Sequence, residues 1–310
     1  MKGISLRSRI SFIGGILLLA FLCGSMPLIS IPCMVLFSIL VIGLQQQMGW
    51  TGTALLGMIA MVIVAQWLPP AFAVCLVLFG WGSGALVAWG SHRQWHSSRL
   101  WVVTMVYMCV CIGLLCIGMQ WLESISILTI IQQESQKILQ MAVSQYDVSQ
   151  AIEDDRLIAA KEVKEIVQLI PYVLPGTGVV IMSILAYVVN KFGLFLAQRG
   201  PKQVAPFAPI HSWEIGWGVL YLYILSLIIK YWGDVLSLTW VYVVGVNLMQ
   251  VSFFFVSVQG LASIFSMLHR KYRRKGVQVL CLFLFFCMPL FSYITFILGA
   301  ISMVANYRKK

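Results

Sequence analysis

An all-α, polytopic helical membrane protein is the fold class this sequence predicts, and three observations carry the prediction. Of 310 residues, 60% are hydrophobic and only 10% are charged, whereas a soluble domain carries about 25% charged residues. The apolar residues come in blocks near the ~20 residues that a helix needs to cross ~30 Å of hydrocarbon. An aqueous core would scatter them at a period of 2 or 3.6. The basic residues sit in short clusters between the blocks, the positive-inside pattern. That clustering argues against nucleic acid as the partner behind the net charge of +11. The lipid bilayer, with its anionic headgroups, suits it better.

About nine hydrophobic segments (8–10) follow in order, at 10–28, 29–44, 51–68, 70–90, 100–122, 169–190, 215–233, 236–268 and 277–305. Lys2, Arg7 and Arg9 precede the first. Leu22 stands before Cys23, where a lipoprotein cleavage site wants a small residue, so this block reads as a retained span. Ser25-Met26-Pro27 separates the first two blocks. Pro69-Pro70 separates the third from the fourth, because neither nitrogen donates a helix bond and the ring clashes with the preceding turn. The polar stretch 123–168 carries Val163, Ile166, Val167 and Ile170 at the spacing of a helical apolar stripe, with Asp154 or Asp155 as a cap. One or two amphipathic helices at the interface are expected there. The last block is long for one crossing and short for two. One tilted crossing is favoured over a turn back near Pro289.

Three regions result: an N-terminal five-span bundle at 1–122, an extracytoplasmic acidic connector at 123–168, and a C-terminal bundle of about four spans at 169–310. With the N-terminus in the cytoplasm, Arg93, Arg99, Lys191, Arg199, Lys202 and the basic run from Arg270 to Lys275 all fall inside. The connector, holding eight of the ten acids, falls outside. The expected location is the bacterial cytoplasmic (inner) membrane.

Few residues point to chemistry. The eight cysteines lie inside apolar blocks without CxxC pairing and read as small buried hydrophobes. His92 and His96 are four apart, but no third ligand follows and Arg93 sits between them, so a solvated loop is expected and no metal. No nucleotide-binding, protease or hydrolase motif occurs, and no cofactor is implied. Lys230 and Asp234 are spaced for a local salt bridge at the interface. In the eighth block Asn247, Gln250 and Ser257 share one helical face, which must meet protein or a wet cavity rather than lipid. Gln259 precedes Gly260, a place for close helix approach. Gln45, Gln46 and Gln47 read as a polar connection between two spans. The loop 191–214 is proline-rich. With Asn190 at its edge, it offers Arg199, Phe207, Trp213 and Glu214 as a cytoplasmic coupling surface, Phe207 and Trp213 suiting the interface.

The chain resembles the YybS-like multi-pass proteins, a bacterial family of unassigned function. The resemblance runs from Pro175 through Asn190, Arg199, Phe207 and Trp213. It continues with Asn247 and Gln259-Gly260 and ends at Leu298-Gly299 and Arg308. Two departures stand out. Ile215-Gly216-Trp217 follow Glu214 where the family tends to have a proline, and Ala300 follows Gly299 where it tends to have an acid. The N-terminal half is similar in architecture to the substrate-binding subunits of energy-coupling-factor transporters, which borrow ATPases from partner proteins.

The leading expectation is therefore a transport-related protein that binds a small molecule and has no ATPase of its own. Its partners would be a membrane coupling subunit and ATPases. Its pocket would lie between the N-terminal spans and reach Asn247 and Gln250. The alternative is a membrane scaffold or assembly factor that recruits a cytoplasmic or envelope partner. An enzyme is the least favoured class.

Overall fold

A computed structural model describes residues 6–26, 29–122, 153–198, 204–271, 283–285 and 287–307, with 133, 137 and 281. Helices dominate and no strand occurs among the described residues. They are α1 (Leu6–Ser25), α2 (Ser30–Ala65), α3 (Pro70–Val77), α4 (Ser83–His92), α5 (Ser97–Leu122), α6 (Glu153–Ala197), α7 (Gly218–Val235), α8 (Thr239–Lys271) and α9 (Pro289–Tyr307). Six helical stretches among the described residues are long and apolar enough to cross a membrane, and Ile10–Ser25 and Pro289–Ala305 are shorter apolar helices. Their outer faces are apolar: α7 buries only Ser226 and Gly233 and exposes Tyr221, Leu225 and Ile228. A surface of this kind is stable in lipid, where the backbone bonds are satisfied within each helix. The protein is an all-α polytopic membrane protein.

By contacts the chain divides into two compact units, Met1–Glu134 with Ile181–Phe207, and Ser135–Val180 with Ala208–Lys310. Residues 181–207 thus pack with the N-terminal helices, although the sequence division grouped them with the C-terminal ones.

In the first unit, α1 and α2 run antiparallel: a Cβ on Gly15 would lie 3.1 Å from Leu40, and one on Gly43 2.9 Å from Phe12. At Gly49, φ is 73° and ψ is −170° inside the span of α2. An L side chain is strained at that φ, and glycine is not. The chain folds back here. Gly80 packs on Met34 and Phe37 of the first half of α2, and the next residue, Trp81, packs on Gly57 of the second half. The second and third hydrophobic blocks are therefore two helical legs joined at Gly49. Gln45–Gln47 are helical and not the polar loop expected, because only Gly49 leaves the helical conformation.

Between α3 and α4 the helix widens to a π-turn at Leu78–Gly82. The Tyr107 hydroxyl donates to the Leu78 carbonyl at 2.9 Å, satisfying a backbone group that such a turn disturbs. The hydroxyls of Ser38 and Ser83, 2.8 Å apart, join α2 to α4.

Two expectations for the middle of the chain change. The amphipathic stretch is no separate interfacial helix in its last part, since α6 starts at Glu153 and runs unbroken to Ala197. Asp154 and Asp155 fall inside the helix, which starts at Glu153, and not at its cap position. Residues 123–132, 134–136 and 138–152 lie outside the described residues. Residues 191–197 belong to α6 and not to a loop.

In the second unit, α7 and α8 form a close hairpin. A Cβ on Gly233 would collide with the backbone nitrogen of Tyr242, and one on Gly245 would meet that of Lys230 at 2.5 Å. The final block reverses. Cys281 and Phe285 cluster with Leu261 and Phe265 of α8, and the Phe285 ring is 6.5 Å from Phe254. Beyond Pro289 the chain returns along α8. Phe253 meets Tyr293 at 5.4 Å, Gly299 packs on Val256 and Gly260, and Ser302 reaches Gln259. The single tilted crossing is thus replaced by a turn at Pro289, whose nitrogen has no hydrogen to continue a preceding helix.

Candidate functional site

Three polar arrangements stand out, two in the second unit and one in the first. The first is a cleft of ≈460 Å3 lined by His211, Trp213, Glu214, Gln259, Ser263 and Ser302, among others. One wall is the loop 208–217, which holds a short 3-10 turn at Ile210–Ser212. The Trp213 indole donates to the Ala208 carbonyl at 3.1 Å. Gln259 Oε1 accepts from the Ile215 amide at 2.8 Å, and its Nε2 donates to Ser302 Oγ at 3.4 Å. One carboxamide on α8 therefore ties down both the loop and α9. The glycine pair beneath it sets the spacing: a Cβ on Gly260 would collide with the Thr295 carbonyl, and one on Gly299 with the Val256 carbonyl. Glu214 is exposed at the rim.

The second arrangement joins α8 to α6. Asn247 Oδ1 accepts from the Gly176 amide at 2.5 Å. Its Nδ2 donates to the Tyr172 carbonyl at 2.6 Å and to the Val243 carbonyl at 2.7 Å. The Gly176 N–H and the Tyr172 carbonyl are an i, i−4 pair that a regular helix would join directly. Gln250 Nε2 donates to Thr177 Oγ1 at 2.8 Å, one turn along. Ser257 points elsewhere, toward the Ser292 carbonyl at 3.4 Å. The polar face of α8 thus serves two neighbours, α6 through Asn247 and Gln250 and α9 through Ser257. No ion pair joins Lys230 to Asp234; the Lys230 ammonium stands 6.0 Å from the centre of the Tyr242 ring.

The third lies in the first unit. Gln45 and Gln46 are 2% and 4% exposed. Both polar atoms of each are buried with no hydrogen-bond partner, as are Gln47 Oε1, Asn190 Oδ1 and Ser183 Oγ. Asn190 is fully buried, and its Nδ2 donates to the Ala186 carbonyl at 2.7 Å. Ile42 of α2 lies where a Cβ on Gly193 of α6 would stand. Gln45 and Gln46 are three and four residues after Ile42, and Asn190 is three before Gly193. The spacing puts Gln45, Gln46 and Asn190 on the facing stripes of α2 and α6, and Gln47, five residues after Ile42, off that stripe.

Of the residues expected to form one coupling surface, Asn190 and Phe207 belong to the first unit and Trp213 and Glu214 to the second. Asn190 is buried in the first unit, where Phe207 packs edge-on against Tyr187 at 5.7 Å. Trp213 and Glu214 line the cleft of the second unit, and Arg199 lies outside the described residues. Sequence reasoning missed the buried glutamines, although a signal was present. No charged residue occurs between Arg9 and Arg93, whereas a solvated turn on the inner side would carry Lys or Arg. His92 ends α4, and His96 Nδ1 lies 2.9 Å from Ser98 Oγ. Among the described residues no group of three or more His, Cys, Asp or Glu could hold a metal.

The helical membrane fold defines a class, the polytopic helical membrane proteins. The chain belongs to the family described as predicted membrane protein (DUF2232), whose model matches residues 15–303. No curated protein and no solved structure matches it.

Proposed function

We propose that this protein is a transport-related membrane receptor for a small solute, without an ATPase of its own, in the bacterial cytoplasmic membrane with its N-terminus inside. One observation carries the reading: the carboxamides of Gln45 and Gln46, each less than 5% exposed, have no partner at either end. Leaving a buried donor or acceptor unpaired costs about 1–3 kcal/mol. A bound solute recovers that cost. The resemblance of the N-terminal half to the substrate-binding subunits of energy-coupling-factor transporters supports the same reading, and loop 208–217 would then face the coupling partner.

The test is extraction of the tagged protein from its native membrane in mild detergent, followed by mass spectrometry of co-purifying small molecules and proteins. A small molecule retained by the wild type and lost from the Gln45→Met/Gln46→Met double variant supports a receptor. Equal small-molecule content in both overturns it. A second reading, a scaffold that recruits a cytoplasmic or envelope partner, is favoured by the cleft at Trp213 and Glu214. Recovery of an envelope protein with no ATPase, lost on Glu214→Gln, would select it.

A further inference from the structure

Resting on the receptor reading, we infer that the solute recognised by the first unit is neutral and presents an amide-type edge, a donor beside an acceptor, as in a carboxamide, urea or lactam. The groups left free on α2 and α6 set this chemistry. Gln45 and Gln46 each offer a carbonyl acceptor and an NH2 donor, and Asn190 Oδ1 adds an acceptor. The carboxamides of Gln45 and Gln46 thus each leave a donor and an acceptor free side by side. That is the complement of another amide and a poor match for an ion, which wants one polarity.

Charge is the second argument. An ionic solute taken out of water needs a buried counter-charge or a metal. The sequence has no charged residue between Arg9 and Arg93, the stretch that contains α2, α3 and α4. Lys191 follows Asn190 directly, yet it is exposed and its ammonium stands 5.2 Å from the centre of the Tyr187 ring. Arg93 and Arg99 likewise stand over Trp89 and Trp95, at 5.6 and 4.5 Å. These described cations are held against aromatic faces.

Three small probes of different charge separate the possibilities: acetamide, acetate and methylammonium. Each is offered to the full-length protein in nanodiscs, and saturation transfer from protein to probe is read by NMR. The comparison is between wild type, Gln45→Met/Gln46→Met and the single Asn190→Leu. The second variant alters the other helix and keeps the test open should the first not fold. The expected result is an acetamide signal that falls about tenfold in either folded variant, the effect of ~1.4 kcal/mol in lost hydrogen bonding. Acetate and methylammonium should give no variant-sensitive signal. A variant-sensitive signal from either ion overturns the neutral class and leaves the receptor reading standing. Variant-insensitive signals from all three mean that the buried amides hold water only, and both inferences fail.

Discussion

Asn247 and Gly176 are joined by a side-chain-to-backbone hydrogen bond of 2.5 Å that ties α8 to α6. The same carboxamide meets the Tyr172 carbonyl, so one side chain engages both members of a helical donor–acceptor pair. Pro171 and Pro175 flank the place. Neither has an N–H to donate, so the helix is short of backbone bonds there. Gly176 admits the amide because a Cβ would lie 2.9 Å from Asn247 Oδ1 and 2.7 Å from Gln250 Oε1.

Replacing Asn247 by Ala should cost about 1–2 kcal/mol, near the upper end for polar contacts between membrane helices, because three hydrogen bonds are lost together. Asn247→Asp keeps the acceptor toward Gly176 and loses the donors to Tyr172 and Val243, so it should fall no closer to wild type than halfway. Reversible unfolding in mixed micelles measures both. An Asn247→Ala protein as stable as wild type would remove the clamp from the account.

Gly260→Ala and Gly299→Ala should each destabilise by about 1–3 kcal/mol, the range for forced overpacking. In both, the new methyl meets a backbone carbonyl, which cannot rotate away as a side chain can. Gly113→Ala provides the contrast, with nothing within 4 Å of its Cβ position. There the change should be neutral or stabilising by up to ~1 kcal/mol, as helix propensity dictates. Thermal unfolding of the three variants in one detergent decides the matter.

Gly49→Ala isolates backbone strain. No atom lies within 4 Å of the added Cβ, so only the φ of 73° resists it. A loss of about 1–3 kcal/mol is expected, with no change in helix content by circular dichroism. Loss of a full turn of helix would mean that the fold-back itself had moved.

Gln259→Leu should free the loop and leave α8 in place. It removes the bond to the Ile215 amide, so hydrogen exchange at Ile215 should rise by roughly tenfold, the equivalent of ~1.4 kcal/mol. Exchange along the middle of α8 should stay unchanged.

Much of the fold was legible in the sequence because lipid imposes a simple rule: long apolar runs and little charge. Pro69-Pro70 marks a real boundary, and the close approach read at Gly260 is present. The misreadings share a cause. Gln45–Gln47 looked like a connection because glutamine is polar, and the one contrary signal, the lack of Lys and Arg around them, shows that they are not solvated without showing what encloses them. Residues 191–197 looked like a loop because of the prolines beyond them, but Asn190, Gly193 and Leu194 continue the buried stripe of α6. Pairing across helices, as between Ile42 and Gly193, depends on contacts distant in sequence and leaves no local trace.

The reversal at Pro289 changes the parity of the chain. A hydropathy count treats 277–305 as one crossing and so assigns the residues after it to the opposite side from those before it. With the turn, Ile301 and Ser302 line the same cleft as Ser266 and Met267. The ends of α8 and α9 therefore open toward one compartment. A reporter inserted after Lys271 and another after Tyr307 should give the same answer in a sidedness assay. Any orientation deduced by counting spans backward from Tyr307 inverts.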